Sequence, residues 1–156
     1  MQALPLRFRS LFSAGLLTAV LWAGQKGSSA EYLGGTLESL PPRISGNLFT
    51  HDPHSFLFQT RQTTVRIPYE RINQIEYGQK VGRRYLEAVL LSPLLVLSKK
   101  RVLYLTVGYQ TDDGRQQALV FRVEKGDIRT VLVSLEARTG RKVTYQDEEA
   151  RKAGKG

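Results

Sequence analysis

Residues 102–110, VLYLTVGYQ, put Leu103, Leu105, Val107 and Tyr109 on one face of an extended chain and Val102, Tyr104, Thr106 and Gly108 on the other. Asp112-Asp113-Gly114 follows, and Asp-Gly is a tight-hairpin signal because glycine accepts the backbone angles such turns demand. Residues 117–124, QALVFRVE, then read as the partner strand. Beyond them Asp127 can cap a helix over 128–138, in which Ile128, Val131, Leu132 and Leu135 recur at helical spacing. Gly140 stands where a left-handed C-terminal cap is wanted. A hairpin with one amphipathic helix lying against it is therefore the most constrained part of the chain.

Shorter strands precede it. Residues 36–40 make a candidate strand ended by Pro41-Pro42, since proline cannot continue a ladder. Residues 47–51 and 55–60 (SFLFQT) form a candidate hairpin around Asp52-Pro53. Residues 63–67 (TTVRI) are largely β-branched, and 72–77 resume an extended pattern after a turn at Tyr69-Glu70-Arg71. Residues 142–145 can add a last extended piece. Residues 146–156 are charged and lack large apolar side chains, so a disordered or frayed tail is expected there. The fold expected is mainly β (α+β): a small barrel or sandwich of short antiparallel strands with a C-terminal amphipathic helix.

Three passages resemble the pleckstrin-homology (PH) superfold, especially its bacterial and GRAM-like members. They are GNLFTHDPHSFLFQT as an opening hairpin, TTVRIPYERINQIEYG as a strand and turn, and YLTVGYQTDDGRQQALVFRVEKGDIRTVLVSLEARTG as final hairpin and capping helix. The last block, with IEYGQKVGRR and the SKKR run, is also similar to a family of small exported bacterial proteins of unknown function. The resemblance implies a binding module rather than an enzyme. It departs from the phosphoinositide-binding pattern: the first hairpin turn, His51-Asp52-Pro53-His54, carries no Lys or Arg. Inositol-lipid recognition is therefore not implied, and fold alone does not fix function.

The N-terminus carries Arg7 and Arg9, an apolar run over 11–23, and a small-residue exit at Ser28-Ser29-Ala30. That order describes a secretory signal peptide over 1–30, cut after Ala30. The expected organisation is a leader (1–30), a PH-like β domain (31–145) and a charged tail (146–156), located in the periplasm or outside the cell. The chain has no cysteine, which excludes disulfides and thiolate metal sites. Its formal charge is +9, and removal of the leader leaves 20 basic and 14 acidic residues, a balance that favours anionic partners. Nucleic acid is not expected as a partner outside the cytoplasm.

Residues 80–101, KVGRRYLEAVLLSPLLVLSKKR, set an apolar stretch between basic clusters in the middle of this β-rich domain. The apolar part is too short to span a bilayer as a helix. Residues 83–92 read as about two turns of helix, broken by Pro93. Lys80, Arg83, Arg84, Lys99, Lys100 and Arg101 could pair with anionic headgroups while Val89, Leu90, Leu91, Leu94 and Leu95 entered the acyl boundary. Burying a leucine is worth about 1.5–3 kcal/mol, more than an exposed charge recovers, so packing inside the fold is favoured over membrane contact. A partner or dimer surface is the third possibility.

The remaining candidates carry less chemistry. His51 and His54, with Asp52, lie around one turn without a further identifiable ligand. Asp112 and Asp113 are accounted for by turn geometry, and no calcium-loop spacing follows. Glu70, Glu76 and Glu87 are scattered, and Arg83 is a helical partner for Glu87. Nucleophile-elbow, phosphate-loop and zinc-protease motifs are lacking. The chain therefore reads as an exported, non-catalytic interaction module without cofactor or metal. Its expected partner is an envelope protein or a second copy of itself. The alternatives are a peripheral lipid-binding domain using 80–101 and an unrecognised hydrolase.

Overall fold

The computed structural model describes residues 26–80, 90–91 and 102–155. The hairpin read from the sequence lies within a single sheet, as β7 (Tyr104–Gln110) and β8 (Gln116–Val123), paired antiparallel from Leu105↔Phe121 to Gln110↔Gln116. Its turn closes with the Thr111 amide donating to the Arg115 carbonyl at 2.9 Å, and Gly114 adopts φ 81°. Around it lie β1 (Ser28–Gly35), β2 (Ile44–Phe49), β3 (Ser55–Gln59), β4 (Thr64–Pro68) and β5 (Ile72–Gly78), with the two-residue strands β6 (Leu90–Leu91) and β9 (Thr144–Tyr145). A 3-10 turn, Tyr69–Arg71, joins β4 to β5.

The strand order is β4-β3-β2-β1-β8-β7-β5-β9, with β6 paired to β1. All ladders are antiparallel except β5 with β9, so the sheet is mixed. The two ends of the path share no ladder, and the sheet is not closed into a barrel. The expected mainly β, α+β character is present, but the barrel or sandwich is replaced by one open sheet with two short helices.

Four local expectations differ. Residues 36–40 are not a strand: the Thr36 amide donates to the Ala118 carbonyl at 3.0 Å, its Oγ1 accepts from the Ala118 amide at 2.9 Å, and a turn toward Leu40 follows. The strand of this region is instead β1, which starts at Ser28, so a cut after Ala30 would fall inside it. Ser28, Ser29 and Ala30 pair with Leu48, Asn47 and Gly46 of β2, and the Glu124 amide donates to the Ser29 carbonyl at 3.0 Å. The helix expected over 83–92 does not hold at Leu90 and Leu91, whose backbones pair with Gly35 and Gly34 of β1. The rest of that helix lies outside the described residues.

Residues 146–156 supply the fourth difference. Helix α1 (Ile128–Thr139) is the one expected and ends on Gly140 at φ 68°. A second helix, α2 (Glu148–Lys155), stands where a disordered tail was expected. Its first turn is capped by Asp147, whose carboxylate accepts from the Ala150 amide at 2.7 Å. It buries Ala150 and Gly154, and a Cβ on Gly154 would lie 2.5 Å from the Tyr145 ring. Docking through residues that small leaves no apolar stripe for the sequence to display.

The core lies between the sheet and α1. Val131, Leu132 and Leu135 share one buried cluster with Ile72, Ile75, Leu105 and Phe121, and Phe58 packs on Phe121 with ring centroids 5.0 Å apart. Each such side chain stabilises the fold by about 1.5–3 kcal/mol on burial. Leu33, Thr106, Ala118 and Val120 are also buried, yet they lie outside this main cluster. Thr106 pairs with Val120 and alternates with the core-facing Leu105 and Val107. The central strands are thus buried on both faces, which is why ALVF in β8 is a continuous apolar run.

Candidate functional site

Most of the residues expected to carry binding, Arg83, Arg84, Val89, Leu94, Leu95, Lys99, Lys100 and Arg101, lie outside the described residues, as does Glu87. Lys80 is exposed just beyond β5. Its backbone is held from both sides by the Gln146 side chain, with the Lys80 amide donating to Gln146 Oε1 at 2.9 Å. Leu90 and Leu91 are joined to the sheet through β6.

The acidic candidates serve structure. Asp112 pairs with Arg71 of the 3-10 turn at 2.5 Å, and Asp113 pairs with Arg115 within the β7–β8 turn at 2.6 Å. Hydrogen bonds from Thr111 and Arg115 hold the Asp113 carboxyl below its ordinary range. Asp52 Oδ1 accepts from the His54 and Ser55 amides at 2.9 and 2.7 Å, and those bonds, with Arg66 at 3.5 Å, lower its pKa. Glu76 Oε1 accepts from Gln74 Nε2, while its buried Oε2 has no hydrogen-bond partner. The described residues contain no group of three or more His, Asp or Glu able to hold a metal ion. They also contain no helix long and apolar enough to cross a membrane.

Tyrosines form the largest set of perturbed groups. Burial raises Tyr32, Tyr77, Tyr104, Tyr109 and Tyr145 above the ordinary phenol value. It pushes Tyr69 up to about 12, against the opposing Arg138 guanidinium 5.7 Å from its ring centre. The Tyr69 hydroxyl donates to the Thr50 carbonyl at 3.0 Å. Burial thus favours the neutral, packed form of these phenols.

Two concavities stand out among the described residues. The larger, of about 1120 Å³, is a trough across β1, β2 and β8. The Arg122–Glu31 ion pair lies across its floor, where β8 and β1 run side by side. Ser45 and Asn47 add neutral donors and acceptors, Arg61 and Lys125 bring positive charge, and Val102 and Leu103 offer apolar surface. The smaller, of about 810 Å³, lies between α1 and the chain around β1 and β2. Thr130, Ser134, Ala137 and Arg138 form its helical wall, and Lys26, Ser28 and His51 stand opposite over a floor of buried Leu48.

The trough was not legible from the sequence, because Glu31, Asn47 and Arg122 meet only through the β2-β1-β8 order. The smaller groove leaves a faint signal in small residues at helical spacing on α1, but Lys26 falls within the expected leader. No protein-family model matches the sequence, and no curated protein matches it at a significant level. The described residues form a mainly β domain with these two concavities on its surface.

Proposed function

We propose that the chain is an exported, non-catalytic interaction module of PH-like architecture that binds an envelope protein or a second copy of itself. The trough is the observation that carries this reading. Paired charges, neutral polar groups and apolar side chains side by side suit an extended protein surface better than a small substrate. The strand order β4-β3-β2-β1-β8-β7-β5, with a helix following β8, supports the PH-like part. The basic and apolar order of 7–23 supports export, with a cut before Lys26 leaving β1 whole. Pairing of β6 with β1 favours an insert belonging to the domain over one free to enter a membrane.

A photo-crosslinking side chain at Asn47, in the trough, tests this in cells, with exposed Val133 on α1 as the control. The expected result is a discrete adduct, to one envelope protein or to a second copy, from position 47 and not from 133. No adduct at 47, or the same adducts from both positions, overturns the reading.

A further inference from the structure

The groove along α1 gathers positive charge that the fold leaves without acidic partners. Arg138 Nη2 donates to the His51 carbonyl at 3.0 Å and its guanidinium lies over Tyr69, but it forms no ion pair among the described residues. Lys26, exposed on the opposite wall, likewise has no ion pair there. His51, its ring edge-on to Phe49 at 5.4 Å, adds a third nitrogen-bearing side chain. Not one acidic residue lines the groove among the described residues. The nearest along the chain, Asp52, is engaged by two backbone amides and Arg66. Ser28, Thr130 and Ser134 contribute hydroxyl donors between the cations.

The shape is specific as well. The helical wall exists because residues 130, 134 and 137, which share one face of α1, are Thr, Ser and Ala. A leucine at either of the last two would fill the space. The remaining volume, about 810 Å³, lies within the range of small-molecule sites. Pro53 and Ala137 give it accessible apolar surface, while Lys26 and Arg138 supply charged donors.

We propose that this groove binds a small organic anion, a phosphate or carboxylate group on an apolar body, with Lys26 and Arg138 as its charged donors and Pro53 and Ala137 against the body. The site stands apart from the trough and does not depend on the partner-binding role assigned to it. Cationic donors to an anion form the stronger, charge-assisted class of hydrogen bond.

The test uses the full chain and phenyl phosphate, with phenol and inorganic phosphate as probes of each half of the ligand. Amide NMR signals of Ser28, Thr130 and Ser134 should shift with phenyl phosphate, less with inorganic phosphate, and not with phenol at equal concentration. Lys26→Gln should weaken binding about tenfold, the loss of one charge-assisted contact. Ala137→Leu should abolish it while leaving the remaining amide spectrum folded. Arg138→Gln is the weaker variant to interpret alone, because Arg138 also steadies Tyr69 and His51. Phenyl phosphate shifts that persist unchanged in Lys26→Gln and Ala137→Leu place the anion elsewhere and overturn the proposal. So does the absence of shifts at the three groove residues, or shifts equal with phenol. A carboxylate source is distinguished by repeating the titration with benzoate.

Discussion

A chain beginning at Glu31 should be markedly less stable than one beginning at Lys26, although the two differ by only five residues. Residues 28–30 form the first part of β1, lying between β2 and the end of β8. Their removal deletes the pairings to Leu48, Asn47 and Gly46 and the bond from the Glu124 amide to Ser29. It also frees the Asp127 carboxylate, which accepts from the Ser29 amide at 3.1 Å at the head of α1. About four backbone hydrogen bonds at a net 0.5–1.5 kcal/mol each give roughly 2–6 kcal/mol. Ala30, buried against the core, adds somewhat less than 1 kcal/mol. The sum, about 3–7 kcal/mol, is a large share of the 5–15 kcal/mol typical of a domain. Urea unfolding of the two chains followed by circular dichroism reads it directly. At about 3–5 °C per kcal/mol for this size, melting should fall by at least roughly 10 °C. A difference below about 0.5 kcal/mol would refute the account of β1, and a cut after Ala30 would then cost the mature fold nothing.

Other consequences concern packing and pH. Burial raises the pKa of six tyrosines, so the folded state keeps its phenols protonated while the unfolded chain ionises from about pH 10. Their contribution is complete below pH 10 and is lost as pH rises beyond it. Urea midpoints should decline between pH 10 and 11 together with tyrosinate absorbance, and a constant midpoint refutes the burial. Gly35→Ala should destabilise the fold by about 1–3 kcal/mol, as an overpacked backbone contact does, since its Cβ would lie 2.3 Å from the Ala118 carbonyl oxygen. An unchanged thermal midpoint would show that β1 and β8 can separate there. Ala150→Glu places a charge in a buried position and should cost about 3 kcal/mol, whereas Ala153→Glu on the exposed side should be near neutral. Equal effects would mean that α2 does not dock through that face. Acidification below about pH 4 should weaken the β2–β3 turn, because the Asp52 carboxylate is stabilised in its ionised form and that contribution is lost on protonation. Asp52→Asn should flatten this acid limb in an unfolding series.

Periodicity and turn chemistry determined most of the strands by themselves. Alternation in 102–110, the Asp-Gly turn, the Asp52-Pro53 turn and Gly140 at the end of α1 are local preferences, and tertiary contacts did not override them. Asp127 shows where local reasoning stops: the cap expected of it does not form, its backbone being helical, and its carboxylate is engaged by Ser29, 98 residues away. β1 was hidden because Ser28, Ser29 and Ala30 resemble the exit of a leader, and their value lies in the two strands that flank them. α2 was hidden because Ala150 and Gly154 dock by being small, which raises no apolar signal. Both concavities depend on side chains far apart in sequence: Arg122 with Glu31 in one, Lys26 with Arg138 in the other. Local composition determined which strands and turns form. Strand order and helix docking, which are set by non-local burial, decided which of their polar residues meet.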